Sequence, residues 1–327
     1  MSCSNKFCCE ITTLFCYVEV SDKYPNFTPM IRPPYLQKGD KVAIISTARK
    51  ISEKEILPAV ELYKSWGLDV QLGKNLFAES NQFAGTDEER LHDLQWAFDT
   101  NEIRAVFCAR GGYGTARLLD QLDLKGMQQN PKWLVGYSDV TALHLHLQNV
   151  LGLETIHGTM PINIHSKPVA GEQESVGSLH GLLFGDYSPY DLGESINNSK
   201  QSCRGVLTGG NLSIVYSLLG SPSVPSFDNS ILFLEDLDEY LYHVDRMMLN
   251  LKRNGVFNGL QAVIIGGLSD MNDNTVPYGK TAKAIVLEHL SSYGFPVYFD
   301  FPAGHVSPNL ALPFGREVTI LNNKLIA

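Results

Sequence analysis

The sequence predicts an α/β fold: an N-terminal, largely parallel sheet flanked by helices, followed by a second, β-richer α/β domain. Three observations predict it. From Lys41 onward, short apolar runs of strand length alternate with stretches of helical periodicity. At 327 residues the chain is long for a single hydrophobic core. Between about Ser166 and Cys203 the composition shifts to prolines, glycines and polar residues, which divides the chain in two.

The elements follow in order. Val42-Ala43-Ile44-Ile45 is the first strand, its unbroken apolar run suiting burial on both faces. A helix is expected from about Pro58 to Trp66. Ser52 and Glu55 have capping-box spacing, yet Pro58 favours a start near Leu57, and Gly67 ends the helix. Thr86 and Glu89 repeat the capping signal, with Leu91, Leu94, Trp96, Ala97 and Phe98 behind them at helical spacing. Ile103 to Ala109 reads as a buried strand ending in Arg110-Gly111-Gly112-Tyr113-Gly114, with a helix expected through Leu118 and Leu119. Trp133 to Gly136 is the next strand, and Asp139 to Val150 the next helix.

The stretch 166–203, including the polar Asn197-Asn198-Ser199-Lys200, reads as an irregular connection. Beyond it, Gly205-Val206-Leu207-Thr208-Gly209-Gly210-Asn211 leads into a helix. Strand Ile231 to Leu234, helix Tyr240 to Leu251, strand Ala262 to Ile265, helix Thr281 to Tyr293 and strand Pro296 to Phe299 follow. Glu317 to Leu321 and Lys324 to Ile326, joined by Asn322-Asn323, form a closing hairpin. The expected organisation is a leader (1–29), an N-terminal domain (30–165), the connection (166–203) and a C-terminal domain (204–327).

A formal net charge of -9, with only 26 Lys and Arg and no densely basic window, disfavours nucleic acid or an anionic membrane surface as partner. A small-molecule or peptide substrate fits better. Of the six cysteines, Cys3, Cys8, Cys9 and Cys16 crowd the first sixteen residues, which is no disulfide framework. The apolar stretch Ile11 to Val18 is too short to span a bilayer and lacks a small-residue cleavage site. Residues 1–29 therefore read as a disordered extension, or as translation from an upstream start, with Met30 opening the working chain.

Ser138 occupies the corner where the strand pattern of Trp133-Leu134-Val135-Gly136 meets a helical pattern, the place where hydrolases expose a nucleophile. A serine hydroxyl is weak at its own pKa, so it needs a base, an orienting carboxylate and donors for the developing oxyanion. Of nine histidines, His305 stands out because it lies in an irregular loop after a strand, where functional groups gather; His157, at a strand end, is a second candidate. His92, His144, His146, His180 and His289 lie in helical or polar patterns, and His144 and His146, two apart on a helix, cannot form a simple metal pair. Glu235 ends the apolar run Ile231-Leu232-Phe233-Leu234 and is the candidate orienting carboxylate, although Asp236, Asp238 and Glu239 are close by and position barely separates them; Asp238 or Glu239 would cap the following helix. The glycine loop lacks P-loop and dinucleotide spacing, so its better use is an oxyanion hole, pairing the Gly112 N–H with that of Asp139. Arg110, which adjoins the glycine loop, is the candidate to hold a ligand's free carboxylate, with an internal salt bridge as its alternative.

Together these segments resemble the muropeptide LD-carboxypeptidases, a peptidase family that also contains the microcin C immunity peptidases. The resemblance rests on Phe83-Ala84-Gly85-Thr86, Cys108-Ala109-Arg110-Gly111-Gly112-Tyr113-Gly114, Gly136-Tyr137-Ser138-Asp139, Leu234-Glu235-Asp236 and Ala303-Gly304-His305, from about Met30 to Ala327. It implies a Ser138–Glu235–His305 triad, oxyanion donors at Gly112 and Asp139, a site between two domains and commonly a homodimer, without metal or cofactor. It further implies hydrolysis of the bond between the L-centre of a dibasic residue and a terminal D-alanine, in cytoplasmic murein tetrapeptides from cell-wall recycling. A peptidyl-nucleotide antibiotic as substrate, or a non-catalytic module sensing cell-wall peptide, are the competing expectations.

Overall fold

The computed structural model describes residues 30–196 and 202–327, so both the leader 1–29 and the polar stretch 197–200 lie outside the described residues. The first half runs β1 (Lys41–Ile45), α1 (Glu53–Ser65), β2 (Asp69–Leu72), α2 (Asp87–Asp99), β3 (Ile103–Cys108), α3 (Lys125–Gln129), β4 (Trp133–Gly136), α4 (Thr141–Leu151), β5 (Thr155–His157) and α5 (Glu172–Phe184). The second runs β6 (Tyr190–Asp191), β7 (Ser202–Asn211), α6 (Leu212–Leu218), β8 (Ser230–Leu237), α7 (Leu241–Arg253), β9 (Ala262–Ser269), α8 (Ala282–Leu290), β10 (Val297–Tyr298), β11 (Leu312–Phe314), β12 (Glu317–Leu321) and β13 (Lys324–Ile326).

Among the described residues two sheets form, with strand orders β11-β5-β4-β3-β1-β2 and β10-β9-β8-β7-β12-β13-β6. The first is parallel except for β11, which pairs antiparallel with β5. The second is parallel from β10 to β7 and antiparallel beyond, where β12 and β13 make the expected hairpin. β1, β3 and β4 are buried almost throughout, as strands covered on both faces must be.

α4 lies between the halves and is buried from Thr141 to Gln148. One apolar cluster joins Ile45, Val106 and Leu134 of the first sheet through Leu143 and Leu147 to Leu212, Leu232 and Val263 of the second. The halves therefore share a core.

Several elements depart from expectation. α1 begins at Glu53, because the Ser52 backbone N–H finds the Glu55 carboxylate at 2.8 Å, and Pro58 is accommodated inside the helix. The segment after the glycine loop forms two 3-10 turns, Thr115–Arg117 and Leu119–Gln121, instead of an α-helix. The segment 166–203 contains α5, whose Leu179, Leu182 and Leu183 pack into the first sheet's core, and β7 starts within it at Ser202. Its glycines punctuate that helix: Gly171 precedes it and Gly185 ends it, both at positive φ. Asp238 and Glu239 do not cap α7; Asp238 accepts from Asn272, and Glu239 from the His243 ring at 2.6 Å.

Candidate active site

β4 delivers the chain to Ser138 at φ +62°, a left-handed conformation that a non-glycine residue adopts only where its surroundings enforce it. The enforcement is visible. A Cβ at Gly136 would sit 2.8 Å from a Val140 methyl, so the corner closes only around glycine. The Gly136 carbonyl accepts from Gly158 N at 3.0 Å and from His144 Nε2 at 2.9 Å. His144 is wholly buried with its Nδ1 against Thr155 Oγ1, and burial lowers its pKa to about 4, against the opposing pull of the Gly136 bond. It is a neutral strut of the corner.

The glycine loop lies directly against the hydroxyl. A Cβ at Gly111 would fall 3.0 Å from Ser138 Cβ and 3.2 Å from its Oγ. Gly112 and Gly114 take φ +119° and +144°. Among the described residues neither the Gly112 nor the Asp139 N–H donates to a backbone carbonyl, and the Gly136 carbonyl one turn back is already filled. The Asp139 side chain points elsewhere: its buried carboxyl accepts from Thr115 N at 2.8 Å, and burial raises its pKa against that bond.

The acid and the imidazole come from the second sheet. β8 and β9 slip register between Leu234 and Asp236, a bulge that re-aims Glu235 into the interior. Glu235 Oε2 accepts from His305 Nδ1 at 2.6 Å and from His305 N at 3.2 Å, while Oε1 is buried without a partner. That bond assigns the proton to Nδ1 and leaves the Nε2 lone pair free to accept. A Cβ at Gly304 would lie 2.5 Å from Glu235 Cγ, and its φ is +95°, so glycine is required there. Asn309 Oδ1 accepts from Gly304 N at 2.8 Å and Ser269 Oγ donates to the His305 carbonyl at 2.9 Å, pinning the loop. Burial works to lower the His305 pKa, but the Glu235 bond and the charges of Glu235 and Asp236 outweigh it and hold the imidazole above its ordinary value.

The two halves of the site meet at Tyr137, whose ring centroid is 5.0 Å from that of His305 and which directly precedes Ser138. Among the described residues no hydrogen bond joins Ser138 Oγ to the imidazole.

His157 is wholly enclosed by Tyr137, Phe233, Phe314 and His144, both its nitrogens unpartnered, and burial drives its pKa well down. It lines the site from behind. Arg110 Nη1 lies 3.4 Å from the Lys50 carbonyl and 4.0 Å from Glu55 Oε1, on the α1 side. Reasoning from sequence did not find a buried polar bridge between the sheets. Asn211 N donates to Thr141 Oγ1 at 3.0 Å, and Asn211 Nδ2 donates to Asp236 Oδ1 at 2.9 Å. Asn211 at the start of a helix was the available signal, since its side chain also caps α6. Among the described residues no group of three or more His, Cys, Asp or Glu could hold a metal ion, and no helix is long and apolar enough to cross a membrane.

A serine on a strained strand corner, with an imidazole–carboxylate pair reaching over from a second sheet, defines a serine-type peptidase of the strand-corner kind. The chain belongs to the LD-carboxypeptidase family. Residues 42–158 match the LD-carboxypeptidase N-terminal domain and residues 204–320 its C-terminal domain. It is 33% identical over 305 residues to a probable murein peptide carboxypeptidase of Bacillus subtilis, covering 90% of this chain and 92% of that one. It is 31% identical to the murein tetrapeptide carboxypeptidase of Pseudomonas aeruginosa, covering 87% and 94%. Among solved structures, the muramoyltetrapeptide carboxypeptidase of Oxalobacter formigenes superposes with a TM-score of 0.78 at 26% identity, over 87% of this chain and 97% of that one. The wild-type microcin C7 self-immunity protein MccF gives 0.81 at 25% identity, over 90% and 98%.

Proposed function

We propose that this peptidase removes the terminal D-alanine from murein tetrapeptides, cutting after the L-centre of the dibasic residue, in the recycling of cell-wall peptides in the cytoplasm. The observation that carries this reading is that the Ser138 hydroxyl lies against the glycine loop while Tyr137, the residue before it, packs on the Glu235-bound imidazole. Its relatives named as murein peptide carboxypeptidases support the substrate class.

In this mechanism His305 Nε2 takes the Ser138 proton as Oγ attacks the scissile carbonyl. The oxyanion settles between the Gly112 and Asp139 N–H groups, each donor contributing a few kcal/mol to the transition state. The imidazolium, steadied by Glu235 across the 2.6 Å bond, then protonates the leaving amine of D-alanine. Water, activated by the same imidazole, hydrolyses the acyl-enzyme and returns the proton to Ser138.

A peptidyl-nucleotide substrate would call for an aromatic platform. Trp133 is fully buried, Trp66 packs on Tyr63 and His180, and Trp96 lies against the core, so none of the three tryptophans offers one. The test is product analysis on tetrapeptides ending in D-alanine or L-alanine, beside an aminoacyl-sulfamoyl adenosine. Release of alanine from the D-form alone is expected; cleavage of the adenosine conjugate alone would overturn the reading.

A further inference from the structure

An exopeptidase that acts on a free C-terminus needs a cation to hold the leaving residue's carboxylate, and the glycine loop is surrounded by cations. Nearly all are spoken for. Lys50 pairs with Glu79 at 2.7 Å, Arg117 with Asp87 at 2.6 Å, buried Arg90 with the same Asp87, and Arg110 reaches toward Glu55 at 4.0 Å. Arg49 differs. It is exposed and, among the described residues, its guanidinium has neither a carboxylate nor a carbonyl partner.

Arg49 is also the cation seated on the loop itself. Its N–H reaches the Gly111 carbonyl at 3.4 Å. Its side-chain stem lies across the face of Gly112, where an added Cβ would fall 2.3 Å from both Arg49 Cγ and Cδ. Gly111 in turn lies against the Ser138 hydroxyl. The stem therefore lies over one oxyanion donor, and the guanidinium extends from there with its five donors unspent. A planar fork in this position matches a carboxylate in two parallel hydrogen bonds.

We infer that Arg49, rather than Arg110, anchors the free carboxylate of the residue to be released, and so makes the enzyme an exopeptidase. The inference rests on the peptidase reading above and adds the residue that selects a free chain end. The absence of a Cβ at Gly112 then serves two purposes: it bares an N–H and admits the arginine stem.

The test compares wild type, Arg49→Ala, Arg49→Lys and Arg110→Ala on a murein tetrapeptide with a free C-terminus and on its C-terminal amide. Losing a charged hydrogen-bonded contact should cost Arg49→Ala about 10- to 100-fold in kcat/KM on the acid, mostly through KM, with little change on the amide. The acid-over-amide preference would collapse, Arg49→Lys would keep part of it and Arg110→Ala would keep it whole. A wild-type acid-over-amide ratio preserved in Arg49→Ala overturns the inference while leaving the peptidase reading intact. No D-alanine release by wild type overturns both. Because Arg49 is exposed, an unchanged thermal midpoint is expected and separates a lost contact from lost folding.

Discussion

Glu235→Gln tests the core of the site with one atom exchanged. Two donors, His305 Nδ1 and His305 N, converge on Oε2, whereas Oε1 has no partner. The amide has two ways to fit. With its oxygen at the Oε2 position both bonds survive, but the charge beside the imidazolium is gone. A unit charge at about 4 Å in an effective dielectric near 20 contributes about 4 kcal/mol, close to a 10³-fold loss in kcat. With its NH₂ there, two donors face two donors, the imidazole adopts the wrong tautomer, and the loss approaches about 10⁴-fold. Either way KM should barely move, because Glu235 is fully buried beneath the imidazole. The first arrangement also buries an unpartnered NH₂ at a cost of about 1–3 kcal/mol in stability. The assay is steady-state D-alanine release from the tetrapeptide, beside a denaturant titration. A kcat loss under about 10-fold would refute the assigned role of the Glu235–His305 pair.

Ser138→Ala should abolish D-alanine release while calorimetry still detects tetrapeptide binding; surviving turnover would remove the serine from the mechanism. The base works only when His305 is neutral and its pKa is held high, so kcat/KM should rise with pH through a limb above the ordinary imidazole value. Asp236, raised to about 7 by burial and by Glu235, adds its charge to His305, so Asp236→Asn should move that limb to lower pH; an unmoved limb denies the coupling. Gly304→Ala meets Glu235 at 2.5 Å with φ +95°, and should cost about 1–3 kcal/mol of stability and more than about 10-fold in kcat, read by denaturant titration and turnover. For His144 the folded pKa is depressed to about 4, so below about 6.5 the unfolded chain binds a proton that the native state refuses. Stability should therefore fall by up to about 3 kcal/mol between pH 6.5 and 4, and a thermal midpoint flat over that range would contradict it.

Where one local signal decided an element, the sequence was legible; where two competed, it was not. The Thr86–Glu89 box marked the start of α2 because nothing opposed it. At α1 the same signal met Pro58, and the cap prevailed because its hydrogen bond is made at the helix end whatever follows. The glycines of 166–203 read as loop, although they bracket and lie within a continuous helix whose leucines were facing a core not visible in one dimension. Ser138, Glu235 and His305 were each legible as a polar residue where an apolar run stops. Their mutual geometry was not, since it depends on a β-bulge at Glu235 and a ring contact through Tyr137. Arg110 was a candidate through adjacency along the chain; the contact of Arg49 with Gly112 is a proximity that spacing does not encode.

The proton transfer proposed above requires that geometry to be held across two sheets to a fraction of an ångström. The holding contacts are buried and polar. β11 leaves the second half to pair with β5, Thr208 donates to Gln148 at 2.8 Å, and Arg316 meets Glu154 at 3.0 Å. Closest to the chemistry, Thr141 is bound to Asn211, and Asn211 to Asp236, which adjoins the acid. A Cβ at Gly210 would strike Thr141 Oγ1 at 2.4 Å, so the strand can approach the nucleophile's helix only at a glycine. Buried polar pairs add little net stability against apolar packing, but misalignment leaves each unsatisfied. Apolar surfaces alone would let α4 slide on the second sheet with little penalty; these bonds penalise every register but one. In the mechanism proposed above, these bonds tie the sheet that bears the serine to the one whose loop bears its base.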